Sequence, residues 1–169
     1  MDFYWRNKIL ANARFKECCL EIAKEEENRI FCRHDMAHLI DVARLMMILN
    51  FKEELYIDDK IIYATALLHD VGRHLQYQVG IGHEISSALI ATEILRQCDF
   101  KRSEEQLIVQ AILKHRDKRA KAEQNLNGLL YRADKMSRAC FCCKASPFCN
   151  WSDDKKNLEI GRASCRERV

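Results

Sequence analysis

Six side chains of metal-ligand type recur along this chain in five short segments. They are His38 in HDMAHLIDVAR, the adjacent pair His69 and Asp70 in ALLHDVGR, His83 in GHEISSALIA, His115 in LKHRDK, and Asp134 in YRADKMSR. Neutral imidazole and carboxylate are the donors that borderline divalent cations such as iron, manganese, cobalt and zinc accept. Gathered around one cavity, they would support a hydrolytic metal centre. Each histidine taken alone has a plainer explanation, as a hydrogen-bonded residue on an apolar helix face. Taken together they point to one site. His69 and Asp70 are neighbours at an expected helix end, where a break before Gly72 lets both side chains turn toward one point and Asp70 bridge two metals; a continuous helix would keep them apart.

The elements that must position these donors are helical. Apolar residues recur at helical spacing in Phe15, Cys18, Cys19, Ile22 and Ala23, and again in Leu39, Val42, Ala43, Met46 and Leu49. Asp58 and Asp59 are possible caps for a largely buried helix that runs to Leu68 and delivers His69-Asp70, with Gly72 ending it. A glycine-bearing loop is expected from there to Gly82. HEISSALIATEILRQC then reads as a helix, followed by SEEQLIVQAILKH with Ser103 as cap and Gln106 completing a capping box. A last helix is expected over about 126–138. Period-two alternation is absent, so the expected fold is all-α, a single bundle of about six to seven helices that buries the apolar faces and converges the donors.

The order His, His-Asp, His, His, Asp resembles that of the HD-domain superfamily of metal-dependent phosphohydrolases, with ALLHDVGR its most specific part. The resemblance covers roughly residues 30–138 and implies a helical domain that often acts on nucleotides. By that resemblance His38, His69, Asp70 and Asp134 would hold the metal shared across the superfamily. His83 and His115 match the extra histidines of its two-metal members, in particular those bacterial relatives that cleave dinucleoside tetraphosphates symmetrically. Asp70, His83 and His115 are thus the expected catalytic residues, with one or two divalent transition metals (Fe, Mn, Co or Zn) as cofactors. Arg73 departs from the lysine that many members carry after the glycine; the charge survives, although arginine prefers planar, bidentate contacts. Arg73, Arg116 and Lys135 each adjoin a proposed ligand and could neutralise phosphate oxygens. The rival readings are a non-catalytic HD module that binds a nucleotide and signals to a partner, and a metal-dependent oxygenase, which uses similar ligands.

Cysteines form a second constellation. Cys140, Cys143 and Cys149 fall in RACFCCKASPFCNW, where Cys140 and Cys143 have the C-x-x-C spacing of zinc and iron–sulfur sites. Cys32 lies six residues before His38, and Cys140 six residues after Asp134. On antiparallel helices sharing a metal, both would be displaced the same way by about 9 Å and would meet. Cys32, Cys140, Cys143 and Cys149 are therefore a possible structural thiolate site for zinc or an iron–sulfur cluster, against the alternative of scattered buried thiols.

Other features bound the function. At 169 residues, with 48% hydrophobic and 31% charged residues, the chain suits one domain. Residues 1–29 are expected to form a helical extension packed on a domain over 30–158. The tail 159–169, EIGRASCRERV, can be back-translated into a sequencing-adapter read and is expected to be non-native. The charged amino terminus is unlike a signal peptide and no stretch suits a membrane span, so the cytoplasm is the expected location and reduced thiols outrank disulfides. A net charge of +3, without a basic stripe interleaved with aromatics, disfavours nucleic acid, and the expected partner is a small phosphorylated molecule. The oligomeric state is not legible. The run Glu25-Glu26-Glu27 is expected to be a solvated face, KHRDKRAK a loop after a helix end, His34 a cap or surface residue, and His74 a loop residue near substrate. Tyr77 and Trp5, as single aromatics, read as core.

Overall fold

In the computed structural model, which describes residues 4–158, the apolar spacings close into eight α-helices, with no strand among the described residues. They are α1 (Tyr4–Ala11), α2 (Ala13–Glu25), α3 (Met36–Lys52), α4 (Asp59–Leu68), α5 (Arg73–Val79), α6 (His83–Gln97), α7 (Arg102–Lys114) and α8 (Leu126–Met136). Short 3-10 turns follow at Lys118–Ala122, Cys140–Cys142 and Ser146–Phe148. The proposed adapter-derived tail lies outside the described residues. No helix among them is long and apolar enough to cross a membrane.

The α3 helix packs on α4 and α8, α7 on α4 and α8, and α6 on α7, while α1 and α2 lie against α4 and α5. Met46, Ile62, Leu68, Ile94, Leu95, Ile108, Ile112, Leu129 and Leu130 are fully buried between them. Each such side chain contributes roughly 1.5–3 kcal/mol by leaving water. The α4 helix is the centre of this core: Ile61, Ile62, Ala64, Thr65, Ala66, Leu67 and Leu68 are all buried. Asp58 caps it by accepting from Lys60 N at 2.7 Å. Trp5 meets Tyr63 and Phe100 edge-on and belongs to the core, as expected.

Several sequence expectations are corrected. The loop from Gly72 to Gly82 contains α5, a helix of seven residues closed by Gly80 at φ 73°, too short for periodicity to reveal. The α7 helix starts at Arg102 rather than after Ser103: Glu104 accepts from Lys101 N at 2.8 Å, so the acidic side chain that fastens the first turn is Glu104 and not Gln106. The last helix stops at Met136. Glu26 is not solvated but buried, and His74 lies within α5, also buried.

Candidate metal centre

Because α4 is buried along most of its length, it ends inside the protein. Its exit tightens into 3-10 bonds, with Val71 N donating to Leu68 O at 3.3 Å and Arg73 N to Asp70 O at 2.9 Å. This turn lies flush on α6: Gly72 N donates to Ser87 Oγ, and Ser86 Oγ to Gly72 O, both at 2.9 Å. A Cβ on Gly72 would stand 2.4 Å from Ser87 N, so only glycine fits and His69 and Asp70 are aimed inward together. The other donors also sit at or near helix ends. His38 is in the first turn of α3, where Asp35 caps His38 N at 3.0 Å; His83 opens α6; His115 closes α7; Asp134 is in the last turns of α8.

All six donors are buried, and the four imidazoles converge on Asp70. Asp70 Oδ2 lies 3.1 Å from His69 Nε2 and 3.6 Å from His38 Nε2, while Oδ1 lies 3.3 Å from His83 Nε2 and 3.7 Å from His115 Nε2. Asp134 Oδ1 is 3.5 Å from His38 Nε2 and 4.0 Å from His69 Nε2. The donors thus fall into two trios, His38/His69/Asp134 and Asp70/His83/His115, each with ligand atoms within 4.8 Å of one another. One carboxylate faces both.

The imidazoles are oriented by their far nitrogens. His69 Nδ1 donates to Ala66 O at 2.7 Å and His115 Nδ1 to Ile112 O at 2.6 Å, which leaves each Nε2 lone pair directed inward. Gln76 Oε1 lies 2.5 Å from His83 Nδ1, and Ser137 Oγ 3.2 Å from His38 Nδ1, placed to do the same. Burial lowers His38 and His115 to about 4 and His83 to about 2, so these rings are neutral at pH 7, as metal ligands must be. Burial also opposes charge on His69, yet Asp70 raises its pKa. Burial would raise Asp70 and Asp134 too. His69 and His34 hold Asp70 well below the usual carboxylate range, and Lys135 and His69 do so for Asp134.

The donor set fits divalent metal. His69 Nε2 and Asp70 Oδ1 are buried and make no hydrogen bond, an uncompensated cost that a cation between the trios would remove. Elsewhere the protein's own cations stand against the donors. Arg138 NH2 donates to His38 Nε2 at 2.9 Å, and Lys135 Nζ is paired with Asp134 Oδ2.

A cavity of about 560 Å³ opens onto the two trios. Its wall carries seven basic residues, Arg29, Arg73, Arg116, Lys135, Arg138, Lys155 and Lys156, against two acids, Asp70 and Asp134, which favours an anionic occupant. All three expected phosphate contacts line it. Arg73 NH1 sits 2.7 Å from His83 Nδ1, Arg116 is held by Glu84 at 2.9 Å, and Lys135 lies over the Tyr131 and Trp151 rings. Arg138 was not foreseen, although it sits four residues after Asp134, one helical turn on.

Sequence reasoning also missed a buried relay. Glu26 accepts from His34 N at 2.7 Å and Tyr77 OH at 2.6 Å, and its Oε1 lies 2.5 Å from His34 Nδ1. Burial would raise the Glu26 pKa, but these partners bring it to about 2. The far nitrogen of His34, Nε2, is then 3.9 Å from Asp70 Oδ2. Tyr77 OH also accepts from Arg73 Nε at 3.0 Å, so Tyr77 is a wall residue and not core. The spacing of His34 one turn before His38 was a usable sign; the role of Glu26 depends on tertiary contact and had none. His74 faces α2 instead of the cavity, with Arg14 and Glu21 among the charges it feels.

Cys32, Cys140, Cys143 and Cys149 all line the same cavity. Cys32 and Cys140 are not displaced along helices as expected: Cys32 precedes α3 in irregular chain and Cys140 lies in a 3-10 turn.

Comparison with known proteins agrees with this geometry. The HD domain family model matches residues 36–139. An uncharacterized protein of Clostridium beijerinckii is 47% identical over 137 residues, covering 81% of this chain and 85% of that protein. A crystal structure described as a predicted HD superfamily hydrolase from an uncultured Thermotogales bacterium superposes with a TM-score of 0.59 at 20% identity, covering 85% of this chain and 81% of that one.

Proposed function

Since this chain belongs to the HD domain family, we propose that it is a metal-dependent phosphohydrolase that cleaves a phosphate ester or anhydride of a nucleotide or dinucleotide. The observation that carries this reading is the Asp70 carboxylate, with one oxygen toward His38 and His69 and the other toward His83 and His115. His38, His69, Asp70 and Asp134 would hold one divalent cation, and Asp70, His83 and His115 a second. Such cations supply hydroxide near neutral pH and offset charge on phosphate oxygens.

The remaining work falls to the chain itself. Arg73, Arg116 and Lys135 bind the phosphate oxygens, and Arg138, which donates to His38 Nε2 in the same wall, adds a further guanidinium toward them. Trp151, partly exposed in the wall, offers flat apolar surface for a base beside Lys135. Burial of the six donors excludes bulk water and strengthens these charge interactions. His34, oriented by Glu26, faces Asp70 in the same wall.

The test loads metal-stripped protein with manganese, iron, cobalt or magnesium and offers nucleotides, dinucleotides and simple phosphoesters. Release of phosphate or nucleotide that requires a transition metal is the expected result. Saturable nucleotide binding with no turnover under any metal would overturn catalysis and leave the signalling module; oxygen consumption with an oxidised product would point to an oxygenase.

A further inference from the structure

We propose that Cys32, Cys140, Cys143 and Cys149 bind an iron–sulfur cluster in the wall of the same cavity, separate from the two His/Asp trios. The first ground is what the Cys-rich segment lacks. From Ala139 to Lys156 the only buried apolar side chain is Ala145, whereas Phe141 and Phe148 are exposed. Eighteen residues with so little core are not held in place by hydrophobic burial, and short segments of this kind are commonly fastened by metal or disulfide. No disulfide forms among the described cysteines.

The second ground is which thiols gather. Cys32, Cys140, Cys143 and Cys149 are half-buried and face the cavity, while Cys142, in the midst of them, is exposed and directs its Sγ at Ala139 O, 3.5 Å away. Turns seat the ligand-bearing residues: Cys143 N donates to Cys140 O at 3.3 Å and Cys149 N to Ser146 O at 3.2 Å. Cys32 arrives from the far side of the sequence. Its carbonyl accepts from Arg29 Nε at 2.9 Å, and Arg138 NH1 clamps the adjacent Arg33 O at 2.7 Å, so that segment is fixed against the Cys-rich one. By contrast Cys18 and Cys98 are buried in the core as small apolar fillers.

The third ground separates a cluster from zinc. Tetrahedral zinc, with Zn–S bonds of about 2.3 Å, draws four sulfurs to about 3.8 Å from one another. No three of these sulfurs lie within 4.8 Å of one another. A four-iron cluster suits the wider set, because each of its thiolates binds a separate iron and inorganic sulfide bridges the irons. Each thiol gives up its proton on binding, and Arg29 and Arg138 lie beside the resulting negative charge. The centre would fasten the segment that brings Trp151, Lys155 and Lys156 to the cavity.

The full chain purified without oxygen should contain acid-labile sulfide at or above one per protein, with visible absorption that a reductant bleaches. Cys32→Ser and Cys149→Ser should lose at least nine-tenths of both, and Cys142→Ser should keep both. Iron X-ray absorption on the wild-type chain should show sulfur neighbours, a readout that survives if a serine variant folds poorly. None of these depends on hydrolysis, and the His/Asp trios contribute no sulfide, so failure here leaves the phosphohydrolase reading untouched. One zinc per chain without sulfide overturns the cluster, no thiolate-bound metal overturns the site, and equal loss in Cys142→Ser overturns the ligand assignment.

Discussion

The two sides of the cavity are built by different means. On one side six donors sit at the ends of α3, α4, α6, α7 and α8, where a continuous apolar core fixes each backbone and carbonyls or side chains fix the rings. On the other side four thiols ride on irregular chain with one buried apolar residue. The first side is preorganised by folding; the second would be ordered by the proposed cluster. The difference teaches that metal removal should disable the two regions unequally.

Four measurements test that contrast. The largest effect belongs to Asp70→Ala, which should abolish retention of both His/Asp metals and lower hydrolysis by about 10³-fold or more, while leaving sulfide content unchanged; full activity would end the bridging role. Next, Glu26→Gln should weaken metal affinity or turnover by about 10–100-fold, the usual cost of losing a group that orients a site residue, measured by metal titration and kinetics. A smaller, structural effect is expected of Gly72→Ala. Its Cβ would meet Ser87 N at 2.4 Å, and the displaced turn should cost about 1–3 kcal/mol in denaturant unfolding, against no loss if the turn can slide. An effect of similar size is expected on pH dependence. Glu26 has a folded pKa of about 2 against an ordinary 4.5. Its stabilisation is complete above the ordinary value and fades as pH falls toward the folded one. The wild type should therefore lose up to roughly 3 kcal/mol more than Glu26→Gln across that window, and parallel stability curves would contradict the buried pairing.

Hydrogen exchange sharpens the same contrast without mutation. Chelation under air should expose amides over 139–156 while those of α3–α8 outside this segment stay protected, because their hydrogen bonds depend on packing alone.

Legibility in the sequence followed the same division. The helices and the inward turn of His69-Asp70 were readable because apolar spacing of 3.6 residues and a glycine at position 72 report local physics. The length of α5 and the start of α7 were not, since a seven-residue helix carries too few turns for a period and Glu104 competes with Ser103 for the role of first-turn anchor. Glu26 was misread for a deeper reason: a run of three acids looks solvated until His34 and Tyr77, eight and fifty-one residues away, come to meet the middle one. The cysteines line one cavity, but the helical geometry expected to bring Cys32 and Cys140 together is one that neither residue adopts.

The central claim is that one carboxylate joins two metal positions. Crystals of the full chain grown with manganese, measured at the manganese absorption edge, should show two anomalous peaks about 3.5–4 Å apart, with Asp70 oxygens between them, His38, His69 and Asp134 around one, and His83 and His115 around the other. A single peak away from Asp70, or none among these six side chains, would contradict it.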